Sequence, residues 1–201
     1  ANALASSSAG RWVAEQAIGL DQRRSLPTWT RHTLRRQAPT GDASGVNALL
    51  FADTFTNHST PEIGVAAIDV LNAAGMATRL APNVCCGRPL ISQGRLEEAR
   101  RLAAANVHAL YEPAHRGHAL VFVEPSCLSA IREDAPDLLR GELRRRARVI
   151  AHHAVLFEEY LEREWAAGRA SLSLNPGPSQ ILLHPHCHQR SMGLEIGRAH
   201  V

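Results

Sequence analysis

Four cysteines are the residues of this 201-residue chain whose types best suit metal or redox chemistry. Cys85 and Cys86 are adjacent and are followed by Gly87, while Cys127 and Cys187 stand alone. Adjacent cysteines rarely bridge each other, because a disulfide ring across one peptide bond is strained. Thiolates are soft ligands that favour zinc, copper(I) or iron–sulfur clusters, and a neighbouring glycine lets the backbone approach a ligand closely. The adjacent pair therefore predicts a metal or cluster site.

Three histidines, His184, His186 and His188, alternate around Cys187. In an extended strand the three imidazoles share one face and Cys187 takes the other. Imidazole suits zinc or iron, and it also suits substrate binding or proton transfer. A solvated, polar strand end explains the same pattern, and a single cysteine such as Cys127 is commonly a small apolar core residue. Both interpretations stay open for these residues.

The elements that must position the cysteines follow a β–α alternation. A basic, partly helical segment covers residues 11–37, and a turn-rich linker follows at 38–45. Apolar runs then predict strands near residues 46–53, 77–81, 118–123 and 180–185. Helical patterns separate them, with one or two helices expected over 141–168. The alternation predicts an α/β fold with a Rossmann-like parallel sheet and flanking helices.

Each candidate ligand follows a predicted strand. Asp53 ends the first strand, Cys85 and Cys86 follow the second, Cys127 follows the third, and Cys187 follows the fourth. Ligand groups gather outside the carboxyl ends of strands in an open α/β sheet. We therefore expect the four cysteines to be able to converge, with Asp53 pointing into the same space.

Composition excludes several classes of partner. The net charge is only +3 and all 22 basic residues are arginine. Aromatic residues make up 4% of the chain, which argues against a base-stacking nucleic-acid surface. The apolar runs fall far short of the ~20 residues of a membrane span, and the first residues lack the order of a signal peptide. Few cysteines without a small-scaffold composition indicate a reducing compartment. We expect a cytoplasmic protein, associated at most with the inner face of the membrane.

The sequence VCCGRPLISQGRLEEARRLAAANV, residues 84–107, resembles the cysteine-rich CCG domain. That domain occurs in the glycolate oxidase iron–sulfur subunit, and in one subunit each of anaerobic glycerol-3-phosphate dehydrogenase and heterodisulfide reductase. Residues 50–75, 122–134 and 182–193 look like a narrower group. This group comprises fused FAD- and iron–sulfur-binding 2-hydroxyacid dehydrogenases of the D-lactate or D-2-hydroxyglutarate type.

The resemblance implies an iron–sulfur cluster, of the 4Fe–4S type, bound by Cys85, Cys86 and Cys127 with Gly87 beside them. Cys187 matches the opening cysteine of a second module. The family's FAD domain and ferredoxin-like clusters would lie in the same chain or a partner chain. Electrons taken from the hydroxyacid by flavin would pass through iron–sulfur centres toward an acceptor such as quinone.

The sequence departs from the family's pattern at two positions. Asp53 stands where the family has its first cysteine, and Glu124 stands where a Cys-x-x-Cys partner is common. Asp53 thereby becomes a further candidate ligand, and His184, His186 and His188 are candidates around Cys187. A rival interpretation is a zinc-stabilised structural module with a mixed Asp and Cys site. A third is an interaction module without metal, in which the cysteines pack.

These matches predict the organisation of the chain. Residues 1–45 are the helical segment and linker, 46–178 the first CCG module, and 179–195 the start of a truncated second module. Residues 196–201 can be encoded by a common sequencing-adapter sequence, so we expect a non-biological tail there. The chain would then be an internal piece of a larger redox enzyme and would not be catalytic alone.

Overall fold

A parallel β-sheet forms the centre of the molecule. The computed structural model describes residues 2–25, 27–38, 45–182 and 184–193. Within them the strands are β1 (Ala48–Leu50), β2 (Thr78–Leu80), β3 (Ala119–Phe122) and β4 (Ala154–Leu156). Their order is β2-β1-β3-β4, and every neighbouring pair is parallel. The predicted Rossmann-like α/β fold is confirmed.

Helices flank the sheet, and a π-helical turn at Ala130–Asp134 joins two of them. The helices are α1 (Asn2–Ser6), α2 (Ser8–Ile18), α3 (Leu34–Gln37), α4 (Thr54–His58), α5 (Pro61–Ala73), α6 (Arg88–Ser92), α7 (Leu96–His115), α8 (Pro125–Ser129), α9 (Ala135–Leu138), α10 (Gly141–His153), α11 (Phe157–Ala166) and α12 (Cys187–Ser191). Among the helices described, none combines the length and the apolar character needed to cross a membrane. The expected tail at 196–201 and linker residues 39–44 lie outside the described part.

The fourth predicted strand was placed wrongly. Residues 180–182 and 184–186 form no strand, and Ile181 and Leu182 are exposed. Pro185 follows them and has no N–H to donate to a sheet ladder. The fourth strand is β4, which lies inside the stretch predicted to be helical. Its three residues are all buried, but helices adjoin it directly on both sides, so its short apolar run has no turn signal around it.

Alternating residues of the strands face two separate cores. Leu49 and Leu120 belong to the core that α7 and α10 cover with side chains such as Val107 and Ile150. Leu50 and Val121 belong to the core that α5 and α11 cover. This alternation is the period of two expected of strands buried on both faces. Phe51, directly after β1, and Phe122, the last residue of β3, also belong to the first core, with their rings stacked at a centroid distance of 4.6 Å.

Leu34 of α3 ties the N-terminal segment to the second core. Its side chain is fully buried against that core. The backbone of α5 approaches it closely at Gly64, where an added Cβ would lie 2.4 Å from Leu34 Cδ2 and 2.8 Å from Thr56 Cγ2. The absence of a side chain at this position is therefore what lets α3 and α5 pack together.

We expect Gly64→Ala to lower the free energy of unfolding by about 1–3 kcal/mol, the usual cost of overpacking. The clash with Leu34 outweighs the roughly 1 kcal/mol by which alanine favours a helix over glycine. Chemical denaturation measures the change. In a Leu34→Ala background the same substitution should cost much less. A Gly64→Ala protein at least as stable as the parent would contradict this packing.

Candidate functional site

Two cysteines from distant parts of the chain are in contact at the carboxyl end of the sheet. Cys86 lies in the loop after β2, and Cys127 lies in α8, directly after β3. Their Sγ atoms are 2.8 Å apart, and the residues are only 6% and 7% exposed. Both are free thiols. Both belong to the first core, beside Phe51, Phe122 and Leu128.

Cys85 lies at the edge of this pair and is exposed to solvent. The Thr54 hydroxyl, in the first turn of α4, approaches its Sγ at 3.9 Å. The neighbouring Cys86 thiol and then burial raise the pKa of Cys85 well above its usual range. Contact with Cys127 is the main cause that raises the pKa of Cys86 to about 12. The thiols therefore keep their protons at neutral pH until a cation displaces them, and metal binding should strengthen as pH rises.

Gly87 turns the chain from the cysteine pair into α6. Its φ is +84°, in the left-handed region that residues with a side chain rarely adopt. The nearest atoms to a Cβ built there, on Ala99 and Leu102, would be 3.7 Å away. Backbone conformation, rather than lack of space, thus requires glycine directly after the two cysteines.

Two buried asparagines hold the cysteine loop, residues 83–87. Asn83 exchanges two hydrogen bonds with the backbone of Ala52, at 3.1 and 3.0 Å, and donates a third to the Val84 carbonyl at 3.0 Å. Asn106 of α7 accepts from the Val84 N–H and donates to the Cys85 carbonyl, both at 3.0 Å. These amides fix the loop backbone against β1 and α7.

The asparagines were not predicted from the sequence as site residues. A signal existed for Asn106, which follows Ala99 and Ala103 and precedes Leu110 at the spacing of one helix face. Asn106 and these three apolar neighbours on the helix face are all buried. A polar residue on such an apolar stripe needs hydrogen-bond partners. No comparable pattern marks Asn83.

Arg35 joins the basic N-terminal segment to the same loop. Its guanidinium donates to the Ala81 carbonyl at 3.1 Å and to the Asn83 carbonyl and side-chain oxygen at 2.7 and 3.1 Å. Burial lowers the pKa of Arg35. Its backbone N–H donates to Asn57 Oδ1 at 3.0 Å. The N-terminal segment therefore takes part in positioning the cysteines.

The Asp53 side chain accepts three hydrogen bonds at the start of α4. Its Oδ1 accepts from the N–H groups of Phe55 and Thr56, both at 2.9 Å, and its Oδ2 accepts from the Thr56 hydroxyl. The residue is buried. The structure thus gives the Asp53 carboxylate a helix-capping role. A bond to a metal would have to replace part of this cap.

The histidines around Cys187 lie in and before α12, so the shared strand face expected for them does not form. His186 Nδ1 accepts from the His188 N–H at 3.2 Å, which caps α12. His188 Nδ1 is 3.0 Å from the Ser129 hydroxyl of α8. Cys187 and His184 are exposed. This segment therefore contacts the helix that carries Cys127.

Glu124 and Arg88 form polar contacts around the cysteine pair. Glu124 caps α8 by accepting from the Ser126 N–H at 3.1 Å. The Arg88 guanidinium donates to Asp134 Oδ2 at 2.6 Å. Arg88 is the first residue of α6, directly after the cysteine loop, and Asp134 lies in the π-helical turn after α8. The ion pair therefore links the segments that follow Cys86 and Cys127.

The donor set suits an iron–sulfur cluster or a zinc ion. Cys86 and Cys127 are in contact and Cys85 is next in the chain, which provides three soft donors. Across the described ranges no three His, Cys, Asp or Glu side chains are grouped closely enough to hold a metal ion. The three sulfurs would therefore have to rearrange before all of them could bind one centre.

Comparison with known proteins places this site in a recognised domain. The family model of the cysteine-rich CCG domain matches residues 53–132. The C subunit of anaerobic glycerol-3-phosphate dehydrogenase from Escherichia coli (strain K12) is 30% identical over 189 residues, and its counterpart in Escherichia coli O157:H7 matches equally. The match takes in 91% of this chain but 46% of each relative, so the chain spans about half their length. No solved structure matches significantly. The chain therefore carries a cysteine-rich CCG domain over residues 53–132, as the sequence predicted.

Proposed function

We propose that Cys85, Cys86 and Cys127 bind an iron–sulfur cluster that transfers electrons within a larger flavin-linked dehydrogenase. The observation that carries the proposal is the contact between Cys86 and Cys127, 41 residues apart, inside the matched CCG domain. When bound, such a cluster accepts and releases single electrons. The 4Fe–4S type is part of the proposal.

The protein's own residues bind and shield that centre. Cys86 and Cys127 are surrounded by apolar core residues, which excludes water from their side of the site. Asn83 and Asn106 hold the backbone that carries Cys85 and Cys86. The burial and backbone dipoles around a cluster tune its potential, so these residues are expected to set the potential as well as the position.

We propose a small hydroxyacid of the D-lactate, D-2-hydroxyglutarate or glycolate type as the substrate of the whole enzyme. The resemblance of residues 50–75, 122–134 and 182–193 supports this class. The relatives are named for glycerol-3-phosphate, which is the competing substrate. A flavin domain, ferredoxin-like clusters and an acceptor such as quinone complete the proposed electron path. In this scheme residues 46–178 are the first module and 179–195 begin a second, with Cys187 as its opening ligand.

Anaerobic reconstitution of the chain with ferrous iron and sulfide tests the proposal. We expect bound iron and acid-labile sulfide, together with broad visible absorbance that bleaches on reduction. A colourless protein that retains one zinc ion per chain would favour the zinc module instead. A protein that retains neither metal, and whose larger enzyme keeps full activity when Cys85 or Cys86 is alanine, would support the metal-free interaction module.

A further inference from the structure

The contact between Cys86 and Cys127 allows the two sulfurs to react with each other when no metal separates them. The two Sγ atoms are 2.8 Å apart, and a disulfide bond is ~2.0 Å long. An approach of about 0.8 Å would therefore bring them to bonding distance. Both thiols are free and both lie in the apolar core.

We propose that Cys86 and Cys127 form a reversible disulfide when the metal-free protein meets a peroxide. Each thiol gives up one hydrogen, and the two sulfurs together give up two electrons. These reduce the O–O bond of one hydrogen peroxide molecule, so one S–S bond and two water molecules form. A dithiol reductant reverses the change by thiol–disulfide exchange.

The surroundings select this pair over the other cysteines. A bridge between Cys85 and Cys86 would close a strained ring across one peptide bond. Cys85 and Cys187 are exposed, and neither belongs to the apolar core that holds Cys86 and Cys127 together. The Arg88–Asp134 ion pair, at 2.6 Å, holds the residues just beyond each sulfur's segment together. Oxidation therefore needs little movement of the backbone.

The consequence rests on the proposed function. A disulfide removes two of the three sulfurs that would bind the cluster. Oxidised protein would accept no cluster until a reductant restored the thiols, so the site would load only under reducing conditions. The bridge also closes a long loop, which constrains the unfolded chain and should raise the unfolding temperature of the oxidised form.

The test uses the metal-free chain, oxidised with hydrogen peroxide and then alkylated under denaturing conditions. We expect two of the four thiols to resist alkylation, and trypsin to release residues 80–95 linked to residues 117–132. Because Cys85 and Cys86 share the first peptide, matched variants identify the partner. The link should persist in Cys85→Ser and Cys187→Ser and should vanish in Cys86→Ser and Cys127→Ser.

Recovery of the second peptide with Cys127 alkylated after oxidation of the parent chain would overturn the proposal, and so would a link that requires Cys85. This mapping on the parent chain does not depend on whether any variant folds. Reconstitution of the oxidised chain with iron and sulfide, before and after reduction, tests the disulfide and the cluster assignment separately. Equal loading of the oxidised and reduced forms would overturn the gating role. A mapped disulfide in a protein that takes up no iron in either form would support the modification and remove the cluster assignment.

Discussion

Cys127→Ser is expected to lower the iron retained after anaerobic reconstitution by at least about tenfold. Changes in residues that only support metal ligands already cost about 10–100-fold in affinity, and Cys127 is proposed as a ligand itself. The variant replaces the buried sulfur that contacts Cys86 with a harder oxygen donor. Iron and sulfide analysis with visible spectroscopy measures the loss.

Cys187→Ser is the matched control, since it makes the same chemical change at an exposed cysteine on α12. It should leave the proposed cluster at Cys85, Cys86 and Cys127 in place. Denaturation of both metal-free variants shows whether either change unfolds the chain. Equal iron in Cys127→Ser and in the parent protein would contradict the assignment of Cys127 as a ligand.

Asn106→Leu is expected to lower the free energy of unfolding by about 2–6 kcal/mol, because it leaves two backbone groups unpaired at a cost of about 1–3 kcal/mol each. These groups are the Val84 N–H and the Cys85 carbonyl, each 3.0 Å from the Asn106 amide. The residue is 1% exposed, so water does not readily replace the amide. Cluster loading should fall as well, because the loop loses its attachment to α7. Chemical denaturation and iron analysis measure the two effects.

Asn72→Leu is the control for this prediction. Asn72 lies near the end of α5 on an exposed position, and its side-chain oxygen accepts one bond from the Thr78 N–H at 2.9 Å. Its loss should cost no more than about 1 kcal/mol and should leave loading unchanged. Similar losses of unfolding free energy and of iron in the two variants would mean that the Asn106 bonds to the loop contribute no more than an exposed asparagine does.

The sheet could be predicted where an apolar run stands between clear turn signals. The runs that became β1, β2 and β3 are of this kind. The structure brings Cys86 and Cys127 into contact at the carboxyl end of the sheet, while the convergence expected of all four cysteines stays a prediction. The strand β4 was missed because helices adjoin Ala154 and Leu156 directly. Periodicity alone cannot separate so short a run from a buried part of a helix.

The polar framework of the site could not be predicted in the same way. The bonds of Asn83 to Ala52 and of Arg35 to Ala81 join residues 31 and 46 positions apart. Such bonds depend on tertiary structure that local patterns do not contain. Asp53 is a different case, because its capping bonds reach only Phe55 and Thr56, two and three residues further on. This signal is local, and it was missed because the position of Asp53 after β1 suggested a ligand rather than a helix cap.

The attachment of the cysteine loop to α7 through the Asn106 amide bears on how fast electrons could move through this site. An amide carries no net charge, so its two hydrogen bonds change little with pH or with the screening of charges by salt. An ion pair in the same place would respond each time the centre gained or lost an electron. At the proposed cluster site, a neutral support would let the backbone of Cys85 keep the same position in both oxidation states. Small displacement between the two states means a small reorganisation energy, which is the property that favours rapid electron exchange.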